Sequence, residues 1–273
     1  MTELAIIIVS YNARADLEAC LTQLHNAPPD VCHTIVVVDN DSSDGSSDAV
    51  RTRWPKVTLI TAENNLGYAR ANNMGIRATE SSLVLLLNSD TLPPAGAIDQ
   101  LVTALKARPE VAIAGPRLVD AAGRLEISFG PMLSPFQELW HKCLVRGHRR
   151  ALPVITEFVE KRARTERYVD WVSGACLLVR RTDADAVGLL DERFFLYTED
   201  VDFCAAARAL GRRVLFTPTV EVVHLRGRSG RSNPAARAAA YRQSHLAFYL
   251  KHHPGWYPAI RSYHWLRDHL SAR

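Results

Sequence analysis

The chain has 273 residues, 47% hydrophobic and 23% charged, which suits one large α/β domain, or one domain with a smaller attachment, and excludes a disordered chain. Its five cysteines are widely spaced and form no Cys-x-x-Cys pair, so they indicate neither a disulfide framework nor a zinc knuckle but reduced thiols in the cytoplasm. Met1-Thr2-Glu3 is not a basic leader, and no apolar run approaches the roughly 18 residues of a membrane span. The net charge of +4 is uneven, because residues 1–100 carry six Lys/Arg against twelve Asp/Glu, whereas Val222 to Arg267 holds eight Lys/Arg and no acid. That basic stretch reads either as a solvated helical face or as a surface for phosphates or anionic lipid.

In chain order, the apolar runs 4–9, 34–38, 57–61, 83–87 and 111–114 read as strands buried on both faces, rich in Val, Ile and Leu. Between them, Leu17, Cys20, Leu21 and Leu24 share a helical face, and 69–78 and 98–105 also suit helices. Asp120-Ala121-Ala122-Gly123 predicts a hairpin turn. Residues 130–168 show no clear period and read as an insertion or mobile segment. A strand is expected over 172–180 including Gly174, a helix over 201–210 ending at Gly211, and short strands at 214–217 and 221–224. A last helix begins after Asn233-Pro234. The pattern is a mostly parallel sheet flanked by helices, with 1–230 as the main domain (1–120 and 169–230 its two halves) and 231–273 as a C-terminal helical, basic-aromatic segment.

Ligands of open α/β sheets bind beyond the carboxyl ends of strands. Three such ends here are polar: Ser10-Tyr11-Asn12, Asp39-Asn40-Asp41 and Asn88-Ser89-Asp90. Helix capping explains Asp, Asn and Ser at strand ends equally well for Asp41-Ser42-Ser43-Asp44, but less well for Asp90, which Leu92-Pro93-Pro94 separates from the next helix. Neither a Gly-x-Gly-x-x-Gly turn nor a P-loop is present, which disfavours a dinucleotide-binding dehydrogenase and a P-loop NTPase.

Taken in order, seven segments resemble the family-2 glycosyltransferases, specifically their rhamnosyltransferase-like branch. They are Val9-Ser10-Tyr11-Asn12, the run Val38 to Gly45, the run Asn65 to Gly75, Asn88-Ser89-Asp90, Trp171-Val172-Ser173-Gly174-Ala175, Tyr197 to Asp202, and His224 followed by Gly227 and Ser229. The resemblance implies a GT-A nucleotide-diphospho-sugar transferase fold and inverting, metal-dependent transfer from a nucleotide-sugar, with dTDP-L-rhamnose the expected donor and UDP-sugars the alternative. It implies donor contacts from Ser10, Tyr11, Asn12, Asp39, Asp41, Asn65, Gly67, Arg70, Asn73, Asn88, Ser89, Asp90 and Gly174. Asp90 and His224 are the implied ligands of Mg²⁺ or Mn²⁺, with imidazole favouring Mn²⁺. Asn88 stands where the family's first acid would be, leaving Asp90 as the principal carboxylate.

A base must also take the proton of the acceptor hydroxyl. Glu199, Asp200 and Asp202 crowd a helix start, where like charges raise at least one pKa. The resemblance favours Asp200, with Glu199 second; Asp202 is assigned to the helix dipole. Arg70 and Arg226 or Arg228 suit diphosphate oxygens. Trp140 suits a sugar face, and Trp171 suits core packing rather than a sugar face.

A sugar nucleotidyltransferase lacks its glycine-rich basic loop here, and Asn88 keeps a catalytically silent nucleotide-sugar-binding protein as the alternative. The expected acceptor is a glycan or lipid-linked glycan; a homo-oligomer is compatible and a nucleic-acid partner is not expected. The aromatic and basic residues between Phe248 and Arg267 suit peripheral docking on the inner face of the cytoplasmic membrane.

Overall fold

A computed structural model describes residues 2–225 and 234–270. The apolar runs become β1 (Leu4–Ser10), β2 (His33–Asp39), β3 (Thr58–Thr61) and β4 (Leu83–Asn88), joined by helices α1 (Arg14–Asn26), α2 (Ser46–Arg53) and α3 (Tyr68–Arg77). Next come β5 (Thr91–Leu92), α4 (Ala97–Lys106), β6 (Val111–Val119), β7 (Leu125–Glu126) and β8 (Phe129–Gly130). Helices α5 (Pro135–Arg149) and α6 (Pro153–Ala163) precede β9 (Arg167–Val169), β10 (Trp171–Val172) and β11 (Cys176–Arg180). The chain continues through α7 (Arg181–Ala186), α8 (Glu199–Ala209), β12 (Arg213–His224), α9 (Pro234–His252) and α10 (Tyr257–Leu270).

The main sheet has the order β3-β2-β1-β4-β11-β6-β12-β5. β1 to β4 run parallel, as do β6 and β12, and β11 lies antiparallel between the two groups. Strand alternation divides the core into two layers. Leu4, Ile6 and Ile8 pack with Leu17, Leu21, Leu101 and Leu105 of α1 and α4, while Ile7 and Val9 join Ala69, Ile76 and Phe203 of α3 and α8.

Three expectations need correction. Residues 130–168 form ordered helices: Ser134 caps α5 by accepting a hydrogen bond from the Gln137 N–H, Pro135 follows in its first turn, and Leu144, Val159 and Ala163 join the core. The strand expected over 172–180 is interrupted at 173–175, so β10 pairs with β8 and β11 with β4 and β6. The two strands expected at 214–217 and 221–224 are one strand, β12, with a register shift between Thr217 and Glu221. The turn at 120–123 is a hairpin joining β6 to β7, with Gly123 at φ 74° and Asp120 Oδ1 accepting from the Ala122 and Arg124 N–H groups.

Part of the C-terminal segment is internal. Phe248 and Tyr249 are fully buried in the core, and Lys251 Nζ and His252 Nε2 reach Asp202 at 2.9 and 2.6 Å. Asp202, 2% exposed, therefore clamps α8 to α9 in addition to its favourable place at a helix start. Asp202→Ala is expected to cost roughly 2–3 kcal/mol, because two charge-assisted hydrogen bonds are lost. A thermal melt checks this, with a drop of about 5–10 °C expected for a domain of this size.

Candidate active site

Because β1 pairs in parallel with β2 and β4, their polar carboxyl ends lie side by side. In the first wall, Asp39 is 3% exposed and holds its own turn: Oδ1 accepts from the Ser42 N–H at 3.1 Å, and Oδ2 accepts from the Ser47 hydroxyl. Asn12, at φ 48°, takes the Ser43 N–H on its Oδ1 at 2.8 Å and donates its own N–H to Ser42 Oγ. Tyr11 and Asp41 are exposed beside this turn, Asp41 at φ 71°. Asn65 Oδ1 accepts from Asn40 Nδ2 and the Gly67 N–H, both at 3.0 Å. Gly67 sits at φ 80°, and a Cβ there would stand 2.4 Å from the Phe195 carbonyl oxygen, so only glycine lets the two segments meet.

The second wall forms where β5 pairs with the end of β12, setting Thr91 opposite His224. Asp90 Oδ1 and His224 Nε2 are thereby 3.2 Å apart, and His224 Nδ1 is 2.9 Å from Glu126 Oε2 on β7. All three side chains are buried. Burial opposes charge on the imidazole, but the hydrogen bonds to Asp90 and Glu126 outweigh it and push its pKa up to about 9. A divalent cation held by Asp90 and His224 would require the imidazole without that proton. The oxygen–nitrogen donor pair suits a divalent metal of the Mg²⁺–Mn²⁺ class, and the buried Asn88 Oδ1 makes no protein hydrogen bond. The residues fit the group.

Between the walls, the break at 173–175 brings Gly174 against α8. Asp200 Oδ2 accepts from the Gly174 N–H and Oδ1 from the Val201 N–H, both at 2.8 Å, while the Tyr68 hydroxyl donates to the Gly174 carbonyl at 2.9 Å. Tyr197 and Thr198 turn into α8 at φ 72° and 65°, two successive residues in a conformation that non-glycine residues rarely adopt. Glu199 is buried with Oε2 lacking a protein partner. Burial, then the neighbouring Asp200 carboxylate, push it well above the usual carboxylate range. Burial also raises Asp200, against the opposing N–H donors. Ser10 Oγ and Thr198 Oγ1 are further buried oxygens without protein partners.

Two of the predicted donor contacts have partners within the protein. The buried Asn73 amide accepts from the Leu190 N–H and donates to the Leu190 carbonyl and Glu192. Arg70 pairs with Glu192 at 3.6 Å. Trp171 is buried with Nε1 donating to the Pro131 carbonyl, a core position, and Trp140 is exposed on α5. Arg226, Gly227, Arg228, Ser229 and Asn233 lie outside the described residues. Sequence reasoning missed Glu126 and the role of Tyr68. An acid between Leu125 and Ile127, just after a predicted hairpin, was the available signal for Glu126. A cavity of about 420 Å³, lined by Leu125, Ile127, Trp140, Val159 and Arg162 among others, shares no residue with the cleft.

Solved structures share this architecture. A mannosyltransferase from Pyrobaculum calidifontis in complex with GDP-Man and Mn²⁺ aligns at TM-score 0.62 and 20% identity, over 95% of this chain and 68% of that one. GalNAc-T7 with UDP, GalNAc and Mn²⁺ aligns at 0.62 and 15%, over 85% and 44%. The fold is that of the GT-A glycosyltransferases. Residues 2–257 match the family described as "Glycosyltransferase like family 2", and the chain belongs to it. A curated relative from Mycobacterium tuberculosis, named N-acetylglucosaminyl-diphospho-decaprenol L-rhamnosyltransferase, is 32% identical over 99% of this chain and 93% of its own length. The Haloferax volcanii low-salt glycan biosynthesis hexosyltransferase Agl10 is 27% identical over 82% and 67%. The chain is a glycosyltransferase.

Proposed function

We propose that the chain transfers L-rhamnose from dTDP-L-rhamnose to a hydroxyl of a polyprenyl-diphosphate-linked N-acetylglucosamine, with inversion and with a divalent cation. The observation that carries this reading is the near full-length similarity to the mycobacterial rhamnosyltransferase. The link between the two groups supports it: Gly174 bonds to Asp200, and the next residue, Ala175, accepts on its carbonyl from the Asn88 N–H and the Thr91 hydroxyl on either side of Asp90, which pairs with His224.

The turn around Asp39 and Asn12 holds the nucleoside end of the donor. Asp90 and His224 would hold the cation, with Asn88 and Ser89 at the same strand end. When bound, the cation supplies charge neutralisation of the departing diphosphate. Asp200 takes the proton of the acceptor hydroxyl as that oxygen attacks the anomeric carbon and the bond to the diphosphate breaks. Its two backbone donors orient the carboxylate and favour its ionised form, whereas Glu199 retains its proton more readily. One displacement without a covalent intermediate inverts the anomeric centre.

Glu126 fixes the His224 ring, leaving Nε2 directed at Asp90. Glu126→Ala is expected to weaken Mn²⁺ binding about 10–100-fold, as measured by electron paramagnetic resonance of free Mn²⁺. An unchanged affinity removes Glu126 from the account.

The reading is tested by incubating the protein with dTDP-L-rhamnose, Mn²⁺ and a short-chain polyprenyl-diphosphate acceptor. Rhamnosylated product is expected, and transfer from a UDP-sugar in its place overturns the donor assignment.

A further inference from the structure

Residues 135–164 contain more exposed apolar surface than folding of the domain requires. On α5, Phe136 and Leu139 are 72% and 63% exposed, with Trp140 beside them; on α6, Val154 is 80% exposed and Phe158 lies open next to it. These side chains form one patch. Trp140 meets Phe158 edge-on with ring centroids 6.3 Å apart, and Phe136 meets Trp256 at 6.0 Å, so the patch spans α5, α6 and the turn before α10. At 100° per residue, Phe136, Leu139, Trp140 and Cys143 share one face of α5.

The charge around the patch is one-sided. Residues 135–164 hold seven Lys/Arg and three acids. Glu138 is buried and Glu160 is bonded to Arg117, which leaves Glu157 as the exposed acid, while Arg146, Arg149 and Arg150 stand exposed at the C-terminal end of α5. Apolar rings and aliphatic groups flanked by arginine suit a bilayer interface with anionic headgroups, where rings settle at headgroup depth and cations meet phosphate. Among the described residues no helix is long and apolar enough to cross a membrane, so contact here is with one leaflet surface.

The patch is also joined to the cleft. His141 of α5 packs on Trp171 of β10 at 5.7 Å, and β10 leads within two residues to Gly174, whose N–H bonds to Asp200. We infer that the α5–α6 pair is the membrane-docking element of this enzyme, seating Phe136, Leu139, Trp140, Val154 and Phe158 in an anionic leaflet. The inference rests on the proposed lipid-linked acceptor and centres docking on the helices over β10, with Trp256 at the edge of the patch. In the C-terminal segment Phe248, Tyr249 and Lys251 are committed to internal packing and ion pairs, while Tyr263, Trp265 and Leu266 of α10 stay exposed, which the α10 variant tests.

Co-sedimentation at low salt with vesicles of equal phosphatidylglycerol and phosphatidylcholine, and with phosphatidylcholine alone, tests it. The full-length chain is expected to bind the anionic vesicles and to bind the neutral ones weakly. Phe136→Ser/Leu139→Ser and, independently, Arg146→Glu/Arg149→Glu are expected to lower anionic binding about tenfold. Trp265→Ser/Leu266→Ser in α10 is expected to leave it within about twofold. Transfer to a water-soluble acceptor analogue should stay within about twofold in all three variants, which shows that the cleft is intact. Docking through α5–α6 is overturned if the active wild type ignores anionic vesicles, or if the α10 variant loses binding while both α5 variants keep it. It is equally overturned if sedimentation velocity finds a dimer that Phe136→Ser/Leu139→Ser dissolves, because the face is then covered by a second copy. Vesicle binding without transfer from any nucleotide-sugar defeats the functional reading and leaves docking standing.

Discussion

Asp200→Asn is expected to lower kcat by roughly 10²–10⁴-fold while donor affinity stays within a few-fold, because a base acts in the transition state and not in the ground state. The geometry makes this the sharper substitution of the two acids at the start of α8. Asp200 is oriented by the Gly174 and Val201 N–H groups, whereas Glu199 Oε2 has no protein partner and its carboxyl is pushed further up by burial and by Asp200 itself. Glu199→Gln keeps a neutral, hydrogen-bonding side chain in a place where the acid already favours its neutral form, so a much smaller loss is expected. The sign of the pH dependence follows. As the proposed base Asp200 works deprotonated, and burial raises its pKa, so activity is expected to fall as pH drops, along a limb displaced above the ordinary aspartate range. Pre-steady-state kinetics with donor titration separate the two substitutions; a full loss in Glu199→Gln with an active Asp200→Asn reverses the assignment.

Asp90→Ala is expected to cost on the order of 10³-fold in kcat/KM, equal to several kcal/mol of charge stabilisation at the diphosphate. Excess chelator is expected to reproduce the loss in the wild type, and added Mn²⁺ or Mg²⁺ to restore it there but not in the variant. The reason lies in the donor set. Asp90 is the acid on the wall where β5 meets β12, and Asn88 offers a neutral amide oxygen in the place of a second carboxylate. Calorimetric titration with MnCl₂ checks the same point without turnover; unchanged Mn²⁺ affinity in Asp90→Ala contradicts it.

The parallel half of the fold was legible because its strands are continuous apolar runs, and such runs keep the same meaning whatever surrounds them. The polar residues closing β1, β2 and β4 were legible for the same reason, as departures from an apolar pattern. Residues 130–168 were not, since α5 and α6 expose apolar side chains and bury Glu138, which inverts the usual amphipathic code. Glu138 takes hydrogen bonds from His245 and Tyr249, 107 and 111 residues away in sequence, and no local window contains that pairing. Asn73 reads as a donor contact by its position in a motif, and nothing local shows that its amide bonds to the 190 turn, a partner 117 residues distant. Glu126 was hidden because its meaning depends on the hairpin that carries it next to β12 and His224.

The central claim is single-displacement transfer of a sugar from a nucleotide donor, with Asp200 as the base. It is tested most directly by the anomeric configuration of the product, read by proton NMR of the rhamnosylated acceptor formed from dTDP-L-rhamnose. A product whose configuration is opposite to the donor's is expected, formed by the wild type and lost in Asp200→Asn. A product that retains the donor's configuration, or one formed at full rate by Asp200→Asn, contradicts it.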